Sequence, residues 1–573
     1  MNSRSRRALF ALAAAALLLG VGLVGSTHRR AGHNPADRPG EPRPPGASAQ
    51  TIAKAMPQAT PAPAAAQPAA IARSAAASTQ TQIVLRSADE AARIERRRIA
   101  ALAAMGLTAP TGTPKPRVPL AKEPLRQPPG REHAMLVKFR DSLVARAEPD
   151  GALLVSAPAP DPALQQVIEE YGLDFSPSQT APEEDLIRLE ARALSNTQTE
   201  PADLGGMLSV RPAKSDADGL WAAAQALQKL DAVEYVTLAS LDQPPPPPLP
   251  YDISPTTPLL SDRQTYRGTN GINIDAAWAA RGARGQGVRV TDCEYSFNVA
   301  HEDLRNLVAQ QPGVSGYYTN SSNFTDDHGT AVLGILGSAE NNYGMTGTLP
   351  EASLRFYGES ATVNGTNQER APAIIAALTA SSPGDVVLLE MQTTGAQGGY
   401  GPAEYDPAVW TATKTGTDAG VHVVAAAGNG AENLDATEYD TYRNRGDSGA
   451  IIVGAGTPAR ERVYFSTYGS RVNVQGWGDW TVATLGYGDL ATYGGDHNQK
   501  YSTNFAGTSS ASPIVTTAVA AVESVARLAL GRPLTPSEMR QLLVATGKPQ
   551  TGDTSKNIGP LPDVVAALDQ KLM

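Results

Sequence analysis

Between Ile514 and Ala529 the chain is small or apolar at nearly every position, with Glu523 and Arg527 the charged exceptions. A run of that length without a polar stripe predicts a helix buried on nearly all sides. Pro513 falls in its expected first turn, where a missing N–H costs little, and Gly531 and Pro533 stop it. Val386–Leu389 is a shorter unbroken apolar run and Val421–Ala427 one interrupted only by His422, the pattern of strands covered on both faces. Such runs alternate with helical patterns through 257–573, where Leu534-Thr535-Pro536 opens a helix to Thr546 and Asp563–Leu572 makes a last amphipathic one. This alternation predicts an α/β domain on a parallel sheet flanked by helices.

Residues 133–242 have a different rhythm. Met135, Val137 and Phe139 share one face of a strand by period two. Asp161-Pro162 caps a helix with the stripe Leu164, Val167, Ile168 and Tyr171, which Gly172 ends. Strands near Leu173–Ser176, at Met207–Arg211 and at Val233–Leu238, with a helix over Leu220–Leu230, complete a βαββαβ order. That is a small ferredoxin-like α+β layout, with 182–196 as an insertion.

The remaining segments read as connections. Residues 27–132 are an Ala/Pro-rich spacer expected to be disordered, apart from a helical pattern over 84–105. Residues 243–256 form a stiff proline-rich linker. At the N-terminus, Arg4, Arg6 and Arg7 precede an apolar stretch from Ala8 to Val24, the form of a signal peptide over 1–26. Its length is at the lower edge of a membrane span, so a retained anchor is the alternative. Composition adds two bounds. A net charge of −9 with 18% charged residues speaks against nucleic acid as a partner. Cys293 is the one cysteine, so no intrachain disulfide can form, and it reads as a buried thiol rather than a nucleophile.

The chemistry gathers in four places. Ser509, in Gly507-Thr508-Ser509-Ser510-Ala511-Ser512-Pro513, sits at the start of the long helix, where unpaired N–H groups and the positive dipole end support a developing oxyanion. A serine there becomes a nucleophile only if a base reaches it. This block resembles the serine block of the subtilisin-like (subtilase) serine peptidases. Asp326-Asp327-His328-Gly329-Thr330-Ala331-Val332-Leu333-Gly334 is similar to that family's histidine block, and Ala427-Gly428-Asn429-Gly430 to its oxyanion asparagine. Gly285 to Asp292 resembles the lead into its aspartate block, except that Cys293 and Glu294 stand where the family has a small residue and a glycine.

The resemblance implies a subtilisin-like catalytic domain at 257–573, with Asp292, His328 and Ser509 as the catalytic triad and Asn429 as oxyanion donor. It implies that Gln392, Thr393 and Thr394 line the substrate cleft, with a restricted preference at the residue before the cut. It places a structural calcium at Asp303 and Asn341, and it requires no cofactor for the chemistry. The 133–242 domain takes the position of the family's propeptide. The expectation is therefore a secreted or periplasmic serine endopeptidase made as a self-inhibited zymogen. Its partners would be protein or peptide substrates and its own propeptide, with a membrane met only during export. The alternative is a catalytically restricted or inactive subtilase-like binding protein, suggested by the altered aspartate block. An α/β-hydrolase is excluded by the lack of a Gly-x-Ser-x-Gly elbow around Ser509.

Overall fold

Six parallel strands form the central sheet, in the order Val474–Trp477, Ile451–Gly456, His422–Ala426, Val386–Leu389, Arg289–Glu294, Ser353–Gly358. The computed structural model describes residues 83–85, 89–110, 112–125, 133–156, 161–240, 257–304, 326–358, 362–363, 366–367, 370–490 and 496–572. The segments read as signal peptide and proline-rich linker, and the spacer as far as 82, lie outside the described residues.

Alternation decides the two faces of the sheet. Val386 and Leu388 join the core beneath the helix Thr508–Leu530, while Val387 and Leu389 join the core beneath Arg370–Thr379 and Pro407–Asp418. The strand is therefore buried on both sides, as its unbroken apolar run requires. The long helix is buried through Ser524 and ends on Gly531 in the left-handed conformation. It starts at Thr508, so Pro513 lies beyond the first turn. With no N–H, Pro513 cannot bond the Ser509 carbonyl, and the expected first-turn placement is corrected.

The ferredoxin-like domain is present as a four-stranded antiparallel sheet, in the order Asp174–Pro177, Met207–Arg211, His133–Phe139, Val233–Ser240. Helices Pro162–Tyr171 and Ala217–Gln228 pack on one face. Asp161 caps the first by accepting from the N–H groups of Ala163 and Leu164. Leu136, Met207 and Tyr235 on the other face share a core with the inserted helix Glu183–Thr197 and with the two surface helices of the catalytic domain.

Ahead of this domain the helical pattern over 84–105 is present as a helix, while the arm after it, expected to be disordered, is seated on the protein. Asp89–Ala104 is a helix on the inserted helix, with Arg98 2.5 Å from Glu190 and Arg97 2.7 Å from Glu183. Arg117 bonds both Asp141 and Glu234, and Glu234 also accepts from the Leu120 N–H at 2.8 Å. A proline-rich segment has few amides to satisfy, so an extended stretch can lie on a surface mainly through side chains, with a few backbone bonds such as Lys115 N–H to the Gln198 carbonyl at 2.9 Å. Composition registers the prolines, whereas the binding comes from arginines whose carboxylate partners lie 24 to 117 residues away.

Candidate active site

The strand Arg289–Glu294 ends at the carboxyl edge of the sheet, where parallel sheets present their sites. The helix Asp327–Gly337 begins directly over that end. Its start comes close to the strand's exit because residue 329 is glycine: a Cβ there would lie 2.3 Å from the Ser296 carbonyl oxygen. His328, second in this helix, has its Nδ1 2.6 Å from Glu294 Oε2. The other oxygen of Glu294 accepts from the Tyr295 N–H at 2.6 Å. The rings of Tyr295 and Phe505 pack edge-on to the imidazole, at 6.1 and 5.8 Å.

The acid on His328 is thus Glu294, and the expectation of Asp292 is corrected. Residues 292 and 294 point to the same face, but two residues of strand separate them by roughly 6.6 Å. Only the last residue of the strand reaches the imidazole. Asp292 is fully buried, and neither of its oxygens has a hydrogen-bond partner. Glu390, at the end of the neighbouring strand, is also buried with both oxygens unpartnered. Burial pushes the Asp292 carboxyl well above the usual range, and the nearby Glu294 adds to this. Glu390 is pushed up by burial and then by Asp292 and Glu294.

Ser509 is second in its helix and 8% exposed. Phe505, four residues before it, is the ring against His328. Asn429 follows the strand His422–Ala426. Its Oδ1 accepts from the Thr508 N–H at 2.9 Å and from Thr508 Oγ1 at 3.0 Å, which leaves Nδ2 as the donor end. An atom added at the Gly507 α-carbon would lie 3.2 Å from Asn429 Nδ2 and 3.5 Å from the Ser509 nitrogen. The two donors therefore flank one point. Gly507 has φ 103°, which keeps a side chain out of that space.

The three residues expected in the cleft divide. Thr393 and Thr394 line a cavity of about 180 Å³ together with Val236–Leu238 of the ferredoxin-like domain and Glu123–Leu125 of the preceding arm. Gln392 instead turns its side chain onto the asparagine loop, where Oε1 accepts from the Asn429 N–H at 2.9 Å. The resemblance placed Gln392 in the substrate cleft, and no local pattern names the Asn429 N–H as its partner.

Asp303 and Asn341 do meet, but through a hydrogen bond from Asn341 Nδ2 to Asp303 Oδ1 at 2.8 Å. Asn341 Oδ1 accepts from the Tyr343 N–H, and Asp303 Oδ2 from the Met345 N–H and the Tyr501 hydroxyl. Burial pushes the Asp303 carboxyl up to about 7. These oxygens already accept from the protein's own donors, so the pair does not fit a calcium ion. Asp326, Asp327 and His497 offer ligand atoms within 4.8 Å of one another. There Asp326 bonds His497, and Lys500 Nζ stands 3.2 Å from Asp327, so these charges already have partners.

Residues 253–559, more than half of the chain, match the family model described as Subtilase family. The chain belongs to the subtilase family. This subtilase is 28% identical over 299 residues to the Major intracellular serine protease of Bacillus subtilis (strain 168), covering 50% of this chain and 83% of that protein. It is 26% identical over 381 residues to the Extracellular basic protease of Dichelobacter nodosus, covering 59% of this chain and 58% of that protein. Among solved structures it matches fervidolysin from Fervidobacterium pennivorans at 18% identity and a TM-score of 0.46, over 82% of this chain and 65% of that one. As a subtilase it is a serine protease on an α/β fold.

Proposed function

We propose that this subtilase is an exported serine endopeptidase that hydrolyses peptide bonds through Ser509, His328 and Glu294, and is made as a self-inhibited zymogen. The observation that supports this most is the 2.6 Å contact of His328 Nδ1 with Glu294 Oε2, on an imidazole that also packs against Phe505 ahead of the serine helix. With its Nδ1–H donated to Glu294, the imidazole has Nε2 to accept a proton. Ser509 attacks the peptide carbonyl as Nε2 takes its proton. The carbonyl oxygen becomes an oxyanion between Asn429 Nδ2 and the Ser509 N–H. The imidazolium, stabilised by Glu294, then protonates the leaving amine. Water repeats the cycle on the acyl-enzyme, with His328 again as base.

The altered acid block was the ground for an inactive binding protein. A carboxylate bonded to His328 favours the enzyme instead. Thr393 and Thr394 remain the substrate contacts in this reading. The zymogen reading is supported by the shared core of the two domains, by the Tyr235 hydroxyl 3.2 Å from Thr411 Oγ1, and by Arg192 Nη1 bonding the Ser381 carbonyl at 2.8 Å. Export, to the periplasm or beyond the cell, rests on the charged and apolar pattern of residues 1–26.

Labelling of the processed chain with a serine-directed fluorophosphonate tests the reading. Labelling should require Ser509 and fall sharply in Glu294→Ala, while Asp292→Asn keeps it. Equal labelling of Ser509→Ala would sink the assignment.

A further inference from the structure

Gln392 opens the hairpin strand Gln392–Thr394, which pairs antiparallel with Tyr400–Pro402. Its backbone is fixed by Arg370, whose Nη1 donates to the Gln392 carbonyl at 2.6 Å. Its side chain reaches across to the peptide that joins Gly428 to Asn429. The amide end of that peptide, the Asn429 N–H, donates to Gln392 Oε1 at 2.9 Å. The carbonyl end, Gly428 O, accepts from the Thr467 N–H at 3.0 Å. Gly428 has φ 96° and no side chain to hold the loop, so these two bonds set the plane of the peptide. Thr467 acts through its backbone N–H, which any residue but proline supplies. Gln392 acts through a side-chain acceptor of a particular length.

The same asparagine is gripped at its far end, where Oδ1 accepts from Thr508. An oxyanion donor works only if it is aimed before charge develops, and small displacements lose much of its effect. We propose that Gln392 is a positioning residue that aims Asn429 at the oxyanion, rather than a contact for the substrate side chain. This rests on Asn429 being the oxyanion donor.

The test uses the full-length chain allowed to process itself, assayed for kcat and KM on one peptide substrate. Gln392→Met keeps length and loses the acceptor; kcat should fall about tenfold with KM within about twofold. Gln392→Glu keeps an acceptor oxygen and should restore kcat to within about threefold of the parent. In an Asn429→Ala background, Gln392→Met should cost less than about twofold further, because the group it aims is gone. If Gln392→Met does not fold, Gln392→Ser, too short to reach the amide, is read in its place. A raised KM with kcat intact would overturn the proposal and make Gln392 a substrate contact. So would a Gln392→Glu variant as slow as Gln392→Met, or an undiminished tenfold loss without Asn429. If Asn429→Ala alone leaves kcat unchanged, it is the oxyanion reading that falls, and the positioning role falls with it.

Discussion

Glu294 and Asp292 project from the same face of one strand, yet only Glu294 bonds the imidazole of His328, at 2.6 Å. The strand runs two residues beyond Asp292, and the histidine helix sits over its last residue. Asp292 is left beneath the pair as a buried acid without a hydrogen-bond partner. Two carboxyls of similar chemistry thus have different parts, set by a single step of the pleat.

Substitution should separate the two. Glu294→Ala removes the group that fixes the histidine tautomer and stabilises its charged form. A loss of about 10⁴-fold in kcat is expected, on the scale seen when a triad acid is disabled. Asp292→Asn should leave kcat within about threefold of the parent, since it touches neither imidazole nor serine. The reverse ranking would return the acid's role to Asp292.

The fold was legible where one physical signal dominates. Val386–Leu389 is apolar at every position because both of its faces are covered, and Ile514 to Val522 is apolar but for Thr516 and Thr517 because that stretch of helix is buried throughout. The cap at Asp161 and the stop at Gly172 were readable because capping is local. Ser509, His328 and Asn429 were singled out by blocks that resemble those of the subtilases, and the structure puts Ser509 and His328 at helix starts and Asn429 just after a strand. The errors arose where a position is fixed from a distance. Glu294 was passed over because the length of its strand depends on pairing through to Gly358, which no local pattern reports. Gln392 meets Asn429 across 37 residues, and Arg117 meets Glu234 across 117.

The unpartnered acids should make stability depend on pH. Asp292 and Glu390 are both raised above the usual carboxylate range in the folded chain, chiefly by burial. The unfolded chain ionises them near pH 4 and the folded chain does not, so the unfolded state binds fewer protons above that pH. Folding stability from these groups is therefore full below about pH 4 and declines as pH rises from there toward their folded values. Asp292→Asn and Glu390→Gln should each raise Tm by about 2–4 °C at pH 8 and leave it nearly unchanged at pH 4. Thermal unfolding of Ser509→Ala chains, which do not digest themselves, at the two pH values checks this. Equal shifts at both would show that ionisation is not the cause.

Thr508 should matter to turnover without touching substrate. Its hydroxyl and its N–H both donate to Asn429 Oδ1, so Thr508→Val removes one of two bonds that hold the amide. A loss of about tenfold in kcat is expected with KM nearly constant, while Thr508→Ser, which keeps the hydroxyl, should stay close to the parent. A Thr508→Ser variant as slow as Thr508→Val would point to packing of the methyl group instead.

The arm ahead of the ferredoxin-like domain should slow activation. Glu123 forms an ion pair with Arg445, whose side chain is 1% exposed and lies against the rings of Tyr405 and Tyr442. The guanidinium also donates to the Glu404 and Tyr405 carbonyls, so it keeps neutral acceptors when the carboxylate is removed. While the arm is seated, Glu123→Gln leaves a buried cation without its ion-pair partner, a loss that strongly destabilises the contact. Once the arm lifts away, Arg445 regains water and the loss disappears. The substitution therefore acts against the closed chain and spares the released domain. Mature activity should appear about tenfold faster in Glu123→Gln than in the parent, with the same final kcat, in a time course followed by gel and by peptide hydrolysis. An unchanged time course would mean that the arm covers the catalytic domain without restraining it.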